Sequence, residues 1–153
     1  MNNSGGSVEP TSAPGVPGTL TLNGSYTQGP GGTLTIDLVN PGQFSVLAVS
    51  GSVTLDGTVD FTAIGGFTPG TGDDFTFLTF GSSSGNFATM DFTGWSCPAG
   101  DTCTDVFGPN SLTLEIAPSS GPPPVPEPSS MILLGTAMAM AMALGLRKVV
   151  SAS

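Results

Sequence analysis

The chain has 153 residues, with 11 Asp+Glu against 2 Lys+Arg, no His, and a formal net charge of −9. Every acid lies in residues 1–128 and both cations lie at 147–148, so the body has no cationic side chain to neutralise a phosphate, and nucleic-acid binding is disfavoured. Without His, nucleophile–His catalysis is excluded as well, and the commonest metal ligand is absent. No Lys accompanies the glycines as a phosphate-binding loop requires. We therefore expect neither a cofactor nor an enzymatic activity.

Gly 23 and Pro 14 warn of low complexity. Yet Val, Ile, Leu and Phe recur at strand spacing as far as residue 117, so a folded body is expected over 18–117. Residues 1–17 are rich in Ser, Gly and Pro and read as a flexible loop segment or an ordered edge lost from its context. Met1 to Gly6 lacks both a basic start and an apolar core of a secretory signal. That absence fits poorly with the tail described below. The expectation is that the chain is the C-terminal piece of a longer protein.

Strand patterning begins with Gly18-Thr19-Leu20-Thr21-Leu22 and returns fourteen residues later as Gly32-Thr33-Leu34-Thr35-Ile36-Asp37-Leu38. Leu20 and Leu22 point one way, Thr19 and Thr21 the other, as in a half-buried strand. Asn23-Gly24 and Pro30-Gly31-Gly32 mark turns. Further strands are expected at 44–49, 53–55, 59–61, 75–80, 87–92 and 112–116. Phe44, Phe61, Phe67, Phe75, Phe77 and Phe80 are the expected core or end cap.

Short strands, Gly-rich corners and inexact repeats point to a β-solenoid. Leu47, Val49, Gly51, Leu55, Gly57 and Val59, followed by Gly66, Pro69, Gly72, Phe75 and Leu78, resemble the last coils and cap of the right-handed β-helix in autotransporter passenger domains. The resemblance spans about residues 18–80. It implies the end of a β-helix, whose rungs need stacked neighbours. A small antiparallel β-sandwich gives similar patterns and stays open as the alternative.

Cys97 and Cys103 flank a Pro/Gly turn and are candidates for a disulfide in an oxidising compartment. A metal site there is disfavoured by the spacing and the lack of His. Asp73-Asp74 and the pair Asp56 and Asp60 read as solvated turn and corner acids. Trp95, next to Cys97, is expected to pack on the bridge.

Residues 118–125 are a semi-rigid Pro-rich spacer. Residues 131–146 are apolar throughout, then come Arg147 and Lys148. As a helix the run measures about 24 Å at ~1.5 Å per residue, short of the ~30 Å hydrocarbon core. Arg147 and Lys148 can snorkel to the headgroups, so a thin single transmembrane helix is expected. The basic end favours the cytoplasmic side and leaves the body outside.

Val125-Pro126-Glu127-Pro128-Ser129, an apolar run and a basic cluster, in that order at the C-terminus, resemble the PEP-CTERM sorting signal of Gram-negative bacteria. The resemblance covers residues 125–153. It implies an exosortase, a membrane-embedded cysteine transpeptidase-like enzyme, that reads Pro126, Glu127 and Pro128, cuts near them and passes the protein to the surface. Arg147 and Lys148 would be the membrane stop. The chain departs from the pattern in having only two basic residues, followed by residues 149–153.

These features imply an exported structural or adhesive protein of the cell envelope or exopolysaccharide matrix. The implied partners are exosortase, membrane lipid and extracellular polysaccharide. The competing readings are the C-terminal part of an exported enzyme and a small carbohydrate-binding sandwich.

Overall fold

The computed structural model describes residues 1–13 and 15–121, and every regular element among them is a β-strand. Rung one holds β1 (Asn2–Asn3), β2 (Ser7–Val8), the hairpin strands β3 (Thr11–Ala13) and β4 (Val16–Pro17), and β5 (Thr19–Leu22). Rung two holds β6 (Tyr26–Gln28), β7 (Thr33–Asn40), β8 (Gln43–Phe44) and β9 (Val46–Val49). Rung three holds β10 (Ser52–Leu55), β11 (Thr58–Ala63) and β12 (Asp74–Thr79). A partial fourth rung holds β13 (Ser82–Gly85) and β14 (Thr89–Thr93), after which β15 (Asp101–Phe107) and β16 (Ser111–Pro118) form a hairpin.

The rungs stack along three sheets, β1-β6-β10-β13, β2-β7-β11-β14 and β5-β9-β12-β16-β15, in parallel except where β16 and β15 join the third sheet antiparallel. Along the first, Asn2 stacks on Thr27, Thr27 on Thr54 and Thr54 on Ser84, steps of 25, 27 and 30 residues. This is the β-solenoid, with about three full turns. The parallel register excludes the small antiparallel sandwich. The fourteen-residue echo is not the stacking period: residues 18–22 lie on the third sheet and 32–38 on the second. The two phrases resemble each other because both are half-buried strands after a Gly corner.

Parallel stacking puts like side chains above one another inside. Leu20, Leu47 and Leu78 form one ladder, which Leu112 extends from the antiparallel β16, and Val8, Leu34, Val59 and Met90 form another. Each fully buried Leu or Val contributes about 1.5–3 kcal/mol of transfer free energy. Phe61 is fully buried, edge-on to Phe77 at 4.9 Å and stacked on Phe92 at 6.2 Å. Phe75 and Phe77 are buried with it, Phe80 almost so, while Phe44 and Phe67 are half-buried against the same core.

The corner between the first and second sheets needs glycine at position 57. Gly57 has φ +66°, and a Cβ there would meet Gly32 O at 2.5 Å and Gly29 O at 2.6 Å. Only a residue without a side chain lets one rung sit that closely on the next.

Of the two expectations for residues 1–17, the ordered edge is the one the structure shows and the flexible segment is not. Asn2 and Asn3 pair with Thr27 and Gln28, Ser7 and Val8 with Thr33 and Leu34. Asn3 is buried, its Nδ2 donates to Thr33 O and its Oδ1 accepts from Gly6 N. The Pro10 carbonyl accepts from Gly18 N and from the buried Ser45 Oγ. The segment is ordered by backbone pairing to the next rung, a partner that its own polar composition does not reveal.

Candidate functional site

The C-terminal end of the solenoid is closed by aromatics and a covalent link. Cys97 and Cys103 are joined, with Cα atoms 5.9 Å apart, and no Cys among the described residues is free. Trp95 packs against the Phe92 ring at 4.6 Å and donates from Nε1 to Phe61 O at 2.9 Å. Through these two contacts the indole lies over the end of the core beside β11. β16 runs antiparallel to β12, and β15 antiparallel to β16. Thr71 Oγ1 donates to Asp101 Oδ2 at 2.5 Å, tying the loop before β12 to the start of β15.

The outer faces are lined with hydroxyls that reach across rungs. Ser25 and Ser52 Oγ lie 3.0 Å apart, Thr54 Oγ1 and Ser84 Oγ 3.2 Å, and Thr76 and Thr113 Oγ1 2.9 Å. Asp56 Oδ1 accepts from Gly57 N and Asp73 Oδ2 from Gly70 N, so both acids shape corners, and Asp74 is exposed. The single Tyr is fully buried, its hydroxyl donating to Gln28 Oε1 at 2.7 Å, and burial pushes its phenol up.

Asp37 and Asp60 lie on adjacent strands of the second sheet, with the exposed Glu9 just after β2, a grouping that the sequence did not reveal. Asp37, on β7, is only 4% exposed. Burial first, then the charge and hydrogen bond of Glu9, then the charge of Asp60, push its carboxyl up to about 6. Asp60, on β11, accepts from Thr93 Oγ1 at 3.1 Å and Thr62 Oγ1 at 3.4 Å through Oδ2, while its buried Oδ1 has no partner. Among the described residues, no group of three or more His, Cys, Asp or Glu is placed to hold a metal ion. The signal missed in the sequence was the stacking register, which sets Thr62 beside Asp37 and Asp91 beside Asp60.

Pro126, Glu127, Pro128, Arg147, Lys148 and the apolar run 131–146 lie outside the described residues. Among the described residues no helix is long and apolar enough to cross a membrane.

Comparison with curated proteins and with solved structures gave no match. A family model for the PEP-CTERM protein-sorting motif matches residues 124–148, a span that includes Pro126, Glu127, Pro128, Arg147 and Lys148. The chain thus carries a PEP-CTERM sorting signal behind a β-solenoid, and that signal marks an exported protein handled by an exosortase.

Proposed function

We propose that this chain is a structural or adhesive component of the cell envelope or exopolysaccharide matrix, delivered there by its sorting signal. The carrying observation is the match at residues 124–148 at the end of a chain whose folded part is a repetitive β-solenoid. A solenoid displays long, even faces, which suits a spacer or adhesive surface better than a site built around one reaction. Here those faces are hydroxyl-rich and acidic, without a basic residue before position 147. In this reading residues 126–128 are what the exosortase recognises, residues 131–146 cross the membrane in transit, and Arg147 and Lys148 hold the far end in the cytoplasm.

The reading is non-catalytic. Asp37 has the kind of raised carboxyl that serves as a general acid, but at 4% exposure it cannot meet a substrate. Nor do the described residues favour a carbohydrate platform of stacking aromatics, since Tyr26 is buried and the Trp95 indole N–H is bound to backbone. Association with polysaccharide would run instead through the hydroxyl rows.

The test replaces Pro126, Glu127 and Pro128 together with Ala in a host that has an exosortase, then fractionates the cells. The native protein is expected in the surface or matrix fraction together with polysaccharide, and the variant in the inner membrane. Equal release of both would refute sorting through this motif. Native protein released freely into the medium, without polysaccharide, would refute the matrix role while leaving sorting intact.

A further inference from the structure

The corner between β5 and β6 carries the chain's single Asn-Gly step, Asn23-Gly24. Both residues are exposed, and among the described residues nothing hydrogen-bonds to the Asn23 side chain. Gly24 has φ +129°, and a Cβ built there would meet nothing within 4 Å. A glycine in open space leaves its backbone nitrogen free of side-chain hindrance.

The other asparagines are held or hindered. Asn3 is buried between Thr33 O and Gly6 N, Asn40 Oδ1 accepts from Gly42 N, and Asn110 Nδ2 donates to Phe80 O and Gly81 O. Asn2 and Asn86 are exposed, but each is followed by a side chain, Asn3 and Phe87, that stands in the way of its backbone nitrogen. The single Asp-Gly step, Asp56-Gly57, is closed. Gly57 is buried, its N–H is held by Asp56 Oδ1 at 2.7 Å, and Gly32 O and Gly29 O are packed against it.

We propose that Asn23 is a site of spontaneous backbone modification, converting in the folded protein through a cyclic imide to aspartate and isoaspartate. The Gly24 nitrogen attacks Asn23 Cγ. A new N–C bond forms, the bond from Cγ to the amide nitrogen breaks, the Gly24 proton passes to solvent and ammonia leaves. Water then opens the ring at one of its two carbonyls. Opening at Cγ leaves aspartate, and opening at the α-carbonyl leaves isoaspartate, with an extra methylene in the main chain. Water is the co-reactant, and no electrons are gained or lost. The reaction needs neither exosortase nor polysaccharide.

The place of this step gives the change a structural effect. Leu22 O accepts from Ser50 N, Gly24 O accepts from Gly51 N, and Gly24 N donates to Ser50 Oγ. These bonds lie on both sides of the reacting step and pin its corner to the next one, after β9. The aspartate product keeps the main chain and adds a negative charge beside the neutral Ser25 and Ser52 hydroxyls. The isoaspartate product lengthens the main chain between Leu22 and Gly24, so it loosens the pinned corner.

The experiment ages the full chain in mild detergent at 37 °C and pH 8, then maps it by mass spectrometry after pepsin digestion, since the body holds no Lys or Arg for trypsin. Asn23 is expected to convert before any other Asn, with the isoaspartyl share read by enzymatic methyl labelling. The aged protein should focus one negative charge more acidic. Amide exchange at Ser50 and Gly51 should rise on ageing, and should stay at its initial level in aged Asn23→Ser, which cannot form the imide. Earlier conversion at another asparagine overturns the proposal. So does conversion of Asn23 only after urea has unfolded the chain, because the fold would then protect the site. Unchanged exchange at Ser50 and Gly51 once isoaspartate has formed overturns the loosening of the corner.

Discussion

The two ends of the solenoid solve the same problem with different side chains. At the N-terminal end, inward positions include the polar residues Asn3 and Gln28, held by hydrogen bonds to backbone carbonyls. The two N–H of Gln28 Nε2 are shared among Gly32 O, Asp56 O and Thr58 O. At the C-terminal end the inward positions are Met90 and Phe92, closed over by Phe87 and Trp95, with a disulfide and an antiparallel hairpin beyond. The edges differ too. β1, β2 and β5 carry no charged side chain, whereas β14 holds Asp91 and β15 holds Asp101 and Asp105. The third sheet also runs one strand further than the other two at this end. A stepped, negatively charged edge resists added strands, and an uncharged one does not. The lesson is that a solenoid end is terminated by specific chemistry, and here only the C-terminal end of the described residues has it.

The largest expected effect tests whether the aromatic end carries the stability. Phe61→Ala removes a fully buried ring that touches Phe77 and Phe92, and should cost about 3–5 kcal/mol in denaturant unfolding. Leu20→Ala, half-buried at the opposite edge, should cost about 1 kcal/mol. Equal losses would erase the contrast between the ends.

A smaller effect is expected from the covalent link. Replacing Cys97 and Cys103 together with Ser opens a short loop, for which chain-entropy reasoning gives about 2 kcal/mol. The loss should fall on the hairpin, read as faster amide exchange in β15 and β16 with rung two unchanged. If exchange instead rises evenly through all rungs, the disulfide supports the whole stack and not its end.

How much of this was legible in the sequence depends on whether a strand advertises its own burial. β5, β7, β11 and β16 alternate apolar and polar residues, and they and β12 fall within two residues of the expected places; the expected strand 44–49 is split at Ser45 into β8 and the wholly apolar β9, and β14 starts at Thr89 rather than at Phe87. β6 was missed because Tyr26 and Gln28 face inward as a polar pair, and β13 because Ser82–Gly85 is exposed throughout. Both exist only because a neighbouring rung supplies their hydrogen bonds, information that is twenty-five to thirty residues away along the chain. The grouping of Glu9, Asp37 and Asp60 was hidden for the same reason. The sorting motif was legible because it is linear: recognition of Pro126, Glu127 and Pro128 in a resemblance requires no tertiary contact.

The smallest expected effect concerns the outer face where β12 meets the first strand of the C-terminal sheet extension, β16. Thr76 and Thr113 face solvent on adjacent strands with their hydroxyls 2.9 Å apart. Such a pair exchanges one hydrogen bond to water for one to its neighbour, so its net contribution is small. Thr76→Val keeps the β-branched shape and the strand preference while deleting the hydroxyl. Stability should therefore shift by less than about 0.5 kcal/mol in either direction, as for most exposed substitutions. What the substitution removes is a contact group on the outer face, and under the matrix reading association of the exported protein with polysaccharide should weaken although the fold does not. A loss well above 1 kcal/mol would instead mean that the hydroxyl rows hold the rungs together, and the outer faces would then be part of the scaffold and no longer a surface free to bind.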